Sequence, residues 1–476
     1  MMLNCQPTSP LVLHLSQNSF TSLDLHPDLL KNLDTLGFNE MTPIQAMALP
    51  LILTNKDVIG QAKTGSGKTA AFGLGLLNKL KVKEFRVQTL ILCPTRELAD
   101  QVAKEIRRLA RGIHNIKVLT LCGGAPFGPQ IGSLEHGAHI VVGTPGRIEE
   151  HLRKKTLDLV HLTTFVLDEA DRMLDMGFQP VVDTIIEYVP AERQTLLFSA
   201  TFPPGIESLA ARILKTPSRI KVDSGHDTSS IQQYLYRVSD NEERSIALRL
   251  LLLHFDPESA LVFCTTKLQT EEVAAELRHH GFYAQSINGD LEQRDREDRL
   301  IQFSNKSSSV LVATDVAARG LDIDSLDMVI NFYIARDVEV HTHRIGRTGR
   351  AGSQGLACSL YQDKENYKIQ VLEEYMGHGF QRQKLPPTSL LRSTPQKPAM
   401  ITLQIDGGKK QKVRPGDILG ALTGKDGIAG NQVGKITVGS QSAYIAVEKE
   451  VGKRALKLLG EGKVKGRSFR VRVIRG

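Results

Sequence analysis

Short apolar runs alternate with amphipathic stretches through most of the chain. Thr89-Leu-Ile-Leu-Cys93, His139-Ile-Val-Val142, Thr164-Phe-Val-Leu167 and Thr195-Leu-Leu-Phe198 are apolar runs with no polar alternation. Between the first two, residues 97–111 place Leu98, Val102, Ile106 and Leu109 at three- and four-residue spacing. That spacing predicts a helix with one buried face. Continuous apolar strands between amphipathic helices predict a parallel sheet covered on both sides. The polar run Asp223-Ser-Gly-His-Asp-Thr-Ser-Ser230 reads as a linker. The pattern then restarts with Ala260-Leu-Val-Phe-Cys264, Ala284-Gln-Ser-Ile287, Val310-Leu-Val-Ala313 and Met328-Val-Ile330, predicting a second α/β domain. Pro386, Pro387, Pro395 and Pro398 mark another linker. Beyond it, Ile401-Thr-Leu-Gln-Ile405, Tyr444-Ile-Ala-Val447 and Phe469-Arg-Val-Arg-Val473 read as strands, with helices over 417–422 and 451–459. These make a small α+β unit.

A chain of 476 residues has room for two or three domains, each with its own core. Hydrophobic content of 41% with 24% charge is ordinary for a globular protein. Cys5, Cys93, Cys122, Cys264 and Cys358 lie at neither metal-ligand nor redox-pair spacing, so buried thiols in a reducing compartment are expected. Leu11-Val-Leu-His-Leu15 is too short for a signal segment, and no run is long enough to span a membrane. A cytoplasmic protein with no membrane partner is expected. The net charge of +8 is unevenly placed. Residues 399–476 hold 16 Lys and Arg against 6 Asp and Glu, a net of +10, so the rest of the chain nets −2. A basic tail on a near-neutral body predicts a polyanion, with nucleic acid favoured.

Three segments carry chemistry. In Ala62-Lys63-Thr64-Gly65-Ser66-Gly67-Lys68-Thr69, the glycines let successive backbone N–H groups converge on phosphate oxygens at a helix N-terminus. Lys68 would reach the outer phosphates and the Thr69 hydroxyl would ligate Mg²⁺. Ala62 stands where the usual pattern begins with glycine, a small change in size. The apolar run ending in Asp168 and Glu169 suits Asp168 to Mg²⁺, and Glu169 to orienting and deprotonating the attacking water. Far downstream, His343-Arg-Ile-Gly-Arg347-Thr-Gly-Arg350 offers two arginines to neutralise a phosphoryl group as it leaves. A domain without its own phosphate loop supplies them, so hydrolysis should depend on how two domains meet.

Together these segments resemble the DEAD-box family of ATP-dependent RNA helicases, from Phe20 to about Tyr375. Further matches are Gly37-Phe-Asn-Glu-Met-Thr-Pro-Ile-Gln45, Pro94-Thr-Arg-Glu-Leu98, Gly123-Gly124, Thr144-Pro-Gly-Arg147, Ser199-Ala-Thr201, Asn288-Gly-Asp-Leu-Glu-Gln-Arg-Asp-Arg296 and Ala313-Thr-Asp-Val-Ala-Ala-Arg-Gly-Leu-Asp322, in the family's order. The resemblance implies two tandem RecA-like parallel-sheet domains that close around ATP and single-stranded RNA. The expected layout is an N-terminal extension (1–19), domain 1 (20–222), a linker (223–230) and domain 2 (231–381). A second linker (382–399) and a small C-terminal α+β RRM-like domain (400–476) complete it. By the same resemblance, Gln45 reads the adenine edge, Phe20 covers the ring and Asp322 holds the ribose. Ser199 and Thr201 couple hydrolysis to strand separation, with His343 linking them to the arginines. Pro94, Thr95, Arg96, Gly124, Thr144, Arg147, Arg296 and Thr314 line an RNA path of phosphates and 2′-hydroxyls, which excludes DNA without reading bases. The helix after Arg147 would bend one strand away from its partner.

The tail is similar to that of the bacterial DbpA-type members, in Ile401–Leu422 and again in Gly462–Val473. Their tail is RRM-like and binds a hairpin of 23S ribosomal RNA. The resemblance implies an RNA-stimulated ATPase that unwinds short helices beside that hairpin during assembly of the large (50S) subunit; a monomer is expected, though no residue pattern bears on oligomeric state. Only Tyr444 offers an aromatic where an RRM sheet would stack bases, so loops and basic edges are expected to bind. Candidates are Lys409, Lys410, Lys412, Arg414, Lys463, Lys465, Arg467 and Arg470. A clamp in which hydrolysis only times release needs the same motifs, and a role in mRNA turnover stays open.

Overall fold

Residue-by-residue alternation inside the apolar runs sends neighbouring side chains to opposite faces of a sheet, and two cores result. The computed structural model describes residues 18–62, 65–222, 231–318, 326–335, 337–349, 355–424 and 426–474. It divides into two units, Met1–Gly225 and His226–Gly476. In the first, the described strands are β1 (Val58–Gln61), β2 (Thr89–Leu92), β3 (Val118–Leu121), β4 (Ile140–Gly143), β5 (Thr164–Asp168), β6 (Gln194–Ser199) and β7 (Ser218–Lys221). They form a parallel sheet in the order β3-β4-β2-β5-β6-β1-β7. Ile91, Val142, Val166 and Phe198 belong to one core; Leu90, Val141, Phe165 and Leu197 belong to the other. The helix expected over 97–111 runs Arg96–Leu109 and buries Leu98, Val102, Ile106 and Leu109. Thr95 caps it, its hydroxyl accepting from Leu98 N at 3.2 Å.

The second unit repeats this plan with β8 (Ile231–Arg237), β9 (Ala260–Cys264), β10 (Ala284–Ile287), β11 (Val310–Thr314), β12 (Met328–Asn331), β13 (Gly355–Tyr361) and β14 (Gln381–Gln383). Their order is β10-β11-β9-β12-β13-β8-β14, again parallel. Sheet continues past residue 381 in β14, and Leu385 packs on the core. The short turn Thr388–Arg392 then lies against the helix Asn241–Phe255. Much of the proline-marked segment 382–399 is therefore seated on the second domain rather than extended between domains.

The tail folds as β15 (Met400–Ile405), β16 (Val433–Val438), β17 (Ala443–Glu448) and β18 (Val471–Val473), an antiparallel sheet ordered β16-β17-β15-β18. Leu403, Ile405, Ile445 and Val447 pack with Ile418, Leu422, Ala455 and Leu459 of the helices Pro415–Thr423 and Gly452–Glu461. The other sheet face meets the helix Gln293–Ser304 and the turn after it. Tyr444 Oη donates to Asp298 Oδ1 at 2.9 Å, and Lys435 Nζ to Ser304 Oγ at 2.7 Å. Thr402, fully buried, meets Asn305 Nδ2 at 3.2 Å and Ser307 Oγ at 2.7 Å. Cys93, Cys122, Cys264 and Cys358 are buried free thiols; Cys5, most of the 1–19 extension and the 223–230 linker lie outside the described residues. Among the described residues, no helix is long and apolar enough to cross a membrane.

Candidate nucleotide and RNA sites

Every element of the first sheet that carries a candidate nucleotide residue delivers it at a strand's C-terminal end. After β1 comes the phosphate loop, where Gly65 and Gly67 take φ of 83° and 94°, a left-handed conformation costly for other residues. A Cβ on Gly67 would also lie 2.5 Å from Gln45 Nε2. Lys68 and Thr69 open the helix Lys68–Lys79. Lys68 is buried, its ammonium 2.6 Å from the Ala62 carbonyl. Lys63 and Thr64 lie outside the described residues. Gln45 sits in the first turn of the helix Pro43–Leu53. Its amide accepts from Thr42 N at 2.9 Å and donates to the Gly67 carbonyl at 3.2 Å, tying this helix to the loop. Phe20 is buried against Phe38, ring centroids 6.2 Å apart.

Asp168 ends β5 and is buried, and its Oδ1 has no hydrogen-bond partner. Burial pushes its carboxyl up to about 7, with Lys68 opposing and Glu169 adding to the rise. A buried, unsatisfied carboxylate beside Lys68, with the Thr69 hydroxyl at the helix start, is a donor set that fits Mg²⁺. Glu169 follows in the left-handed region at φ 53°, its Oε2 2.5 Å from Arg172 Nη1; both side chains are almost fully buried. Ser199 and Thr201 lie at the end of β6. Ser199 Oγ accepts from Asp171 N at 3.2 Å and donates to the Thr201 carbonyl at 2.8 Å. Thr201 N and Oγ1 both reach Asp171 Oδ2 at 2.9 Å. Burial alone would raise the Asp171 carboxyl, but the Thr201 bonds and Arg172 bring it below the usual range. The structure thus joins Ser199 and Thr201 to the Asp168–Glu169 segment through Asp171. Neither Asp171 nor Arg172 had a role in the sequence reading; an acidic pair at a strand end gives no sign of which later charges turn inward.

The candidate RNA residues of this unit also cluster at strand ends. Pro94 and Thr95 are buried at the turn after β2, and Arg96 opens the next helix. A Cβ on Gly124 would lie 2.0 Å from Arg96 Nη1, so the loop after β3 rests directly on that guanidinium. Thr144 immediately precedes the helix Pro145–Arg153 after β4, and Arg147 Nη1 donates to the Ala125 carbonyl at 2.9 Å.

In the second unit, Thr314 ends β11, its hydroxyl accepting from Ala317 N at 3.3 Å. Arg296 Nη2 donates to the Ala317 carbonyl at 3.0 Å, so these two share one turn. His343 is in the last turn of the helix Val338–Ile345, and Arg347 is buried in the turn beyond. Arg350 and Asp322 lie outside the described residues. Arg344, unremarked in the sequence, braces this corner. It pairs with both Asp315 oxygens at 2.6 and 2.9 Å and donates to Asn331 Oδ1 and the Tyr333 carbonyl. In the tail, Lys409, Lys410, Lys412, Arg414, Lys463, Lys465, Arg467 and Arg470 are all exposed. Lys465 Nζ reaches the Lys412 carbonyl at 3.1 Å, bringing the two basic loops together. Tyr444 is buried by its contact with the second domain.

Residues 42–209 match the DEAD/DEAH box helicase family, 243–352 the helicase conserved C-terminal domain, and 402–473 the DbpA RNA binding domain. The chain is 51% identical to the ATP-dependent RNA helicase DbpA of Escherichia coli K12, over 96% of this chain and 100% of that protein. It is 36% identical to the Bacillus subtilis DbpA, over 95% and 98% of the two chains. Among solved structures, Saccharomyces cerevisiae Dbp5 bound to RNA and ADP BeF3 superposes with a TM-score of 0.70 at 29% identity, covering 80% of this chain and 100% of that one.

Proposed function

The chain belongs to the DEAD-box ATP-dependent RNA helicases of the DbpA type, and from that premise we propose that it unwinds short RNA helices beside a 23S rRNA hairpin gripped by its tail. Its setting would be the cytoplasmic precursor of the large ribosomal subunit, where it works as a monomer. The observation that carries this reading is the match to the DbpA RNA binding domain, together with the exposed basic loops it contains. Those loops would grip the hairpin, because the sheet face that would otherwise stack bases is occupied by a helix of the second domain and the turn after it.

In the reaction, the loop from Ala62 to Thr69 cradles the triphosphate and Lys68 orients its outer phosphates. Thr69 and Asp168 would hold Mg²⁺, which when bound neutralises charge on the β- and γ-phosphate oxygens. Glu169 orients the attacking water and takes its proton. Arg347 and Arg350 neutralise the leaving phosphoryl group once the two units close on nucleotide and RNA together. Phe20, Gln45 and Asp322 select adenosine. Asp171 carries the state of the DEAD segment to Ser199 and Thr201. Pro94, Thr95, Arg96, Gly124, Thr144, Arg147, Arg296 and Thr314 hold one strand by its backbone in a bent path. Stacking is worth about 1.4 kcal/mol per step in DNA, so one closure can separate a few steps, and long processive unwinding is not expected.

The test is strand displacement from a short duplex joined to the ribosomal hairpin, run with ATP and with a non-hydrolysable analogue, beside a duplex joined to unrelated RNA. Displacement favouring the hairpin substrate supports the reading. Equal displacement of both substrates would remove the hairpin from it.

A further inference from the structure

We infer that His151 and Gln130 are positioning residues for RNA strand bending, forming a cross-brace that locks the helix Pro145–Arg153 to the loop after β3. The inference rests on the RNA path proposed above and adds to it the means by which two of its segments move as one.

The helix and the loop carry different contacts, Thr144 and Arg147 on one, Gly124 on the other. Bending a strand requires both to keep their spacing under load. Arg147, His151 and Lys154 fall at i, i+4 and i+7, so they share one helix face. All three close on residues 122–130. The Cys122 carbonyl can only accept, so the Gln130 amide nitrogen, 3.0 Å away, must face it. That turns Gln130 Oε1 toward His151 Nε2 at 3.1 Å, so the imidazole carries its proton there. His151 Nδ1 is then the acceptor for the Thr156 hydroxyl at 2.8 Å. The chain Thr156–His151–Gln130–Cys122 is thus directional, each group donating to the next, and it runs from just beyond the helix's C-terminal end to the end of β3. Its two central side chains are buried, His151 at 0% and Gln130 at 8% exposure.

A second set of contacts reinforces it. The Phe127 ring stacks on His151 at 4.2 Å and 23°. Lys154 Nζ and the Arg147 guanidinium lie 4.2 and 5.4 Å from the same ring centroid. Arg147 Nη1 is meanwhile fixed on the Ala125 carbonyl and its Nε on Glu150, 3.1 Å away. Burial holds the His151 imidazolium down to about 4, with Arg147 pushing the same way, so the ring stays neutral at working pH and can donate and accept at once. None of these residues lies among the nucleotide ligands, so loosening the brace should leave hydrolysis alone and waste it.

The experiment compares full-length wild type with His151→Leu, His151→Gln and Gln130→Met on the hairpin-joined duplex. It measures RNA-stimulated kcat, KM for ATP and strands displaced per ATP hydrolysed. For His151→Leu and Gln130→Met, strands per ATP should fall about tenfold, since misplacement of contacts by about 1 Å can cost up to a hundredfold. Both kcat and KM should stay within about twofold. His151→Gln retains a donor toward Gln130 and should recover most of the loss. Should His151→Leu fail to fold, Gln130→Met carries the comparison. Unchanged strands per ATP in Gln130→Met, or no recovery in His151→Gln, overturns the brace while the wild-type reading stands. A wild type that hydrolyses ATP with RNA yet displaces nothing overturns the reading beneath it and the brace too.

Discussion

Glu169 is held in left-handed backbone, a conformation that costs on the order of 1–3 kcal/mol, and its carboxylate is pinned to Arg172. Glu169→Gln keeps the shape and removes the proposed base. RNA-stimulated turnover should fall by about 10²–10⁴, with ATP-dependent RNA binding intact or tighter; residual wild-type turnover would relieve Glu169 of its role. Arg347→Ala should cost about 10³ in turnover with little change in KM for ATP, and a near-neutral result would speak against its touching the transferred phosphate. A purely structural arginine makes a contrast. Arg244 is fully buried, donates to the Phe332 and Leu360 carbonyls and pairs with Glu365 at 2.8 Å. Arg244→Met leaves that carboxylate buried without its cation, so unfolding by urea should show a loss of about 3–5 kcal/mol. A loss below about 1 kcal/mol would mean that Glu365 finds water.

At the scale of elements, His341 shows how packing sets a pH dependence. It points inward from the helix Val338–Ile345, Nε2 3.1 Å from Gln233 Oε1. Burial, with Arg344 adding to it, holds its imidazolium down to about 3, whereas an unfolded histidine titrates near about 6.5. The folded value is the lower one, so this stability is complete above about pH 6.5 and is lost as pH falls toward 3, by at most about 1.4 kcal/mol per unit. Urea midpoints measured from pH 7 to 5 should fall, and less so in His341→Gln; parallel profiles would contradict this. Tyr444→Phe removes one bond between tail and body, worth about 0.5–1.5 kcal/mol. Amide exchange across residues 293–304 should rise while hairpin affinity holds, and a drop in affinity would make Tyr444 an RNA contact after all.

These elements differ in how far the sequence reveals them. Ala260–Cys264 coincides with β9, because a buried parallel strand of this kind has no polar interruption to blur its ends, and Ala284–Ile287 coincides with β10, where Gln285 and Ser286 are buried with the rest. By contrast, β1 is only Val58–Gln61, β7 alternates exposed and buried positions, and β14 is wholly exposed at a sheet edge; none has an apolar run to announce it. The candidate catalytic groups were legible because phosphate chemistry demands particular residues at particular spacings. Their supports Asp171, Arg344 and His151 were not, since pairing across elements leaves no local pattern, and the spacing of Glu169 and Arg172 does not say that the pair is buried. The docked face of β15 and β17 was hidden likewise: no local pattern marks Thr402 and Tyr444 as facing Asn305 and Asp298.

For the whole molecule, the proposed grip of the tail on RNA has a geometric consequence. The tail's sheet rests on the helix Gln293–Ser304, which carries Arg296, a candidate RNA contact, so hairpin and duplex should be presented in a fixed relation. Removing residues after Pro398 should leave ATPase stimulated by generic RNA but erase preference for the hairpin. Retained preference would move specificity into the body. The central claim is that the reactive pocket is completed only when both units meet on ATP and RNA. Its most direct test is a crystal structure of the full chain with a transition-state mimic of ATP and an oligoribonucleotide. Arg347 and Arg350 should contact the γ-phosphate mimic opposite Lys68; both guanidinium groups turned to solvent, away from Lys68, would contradict the account.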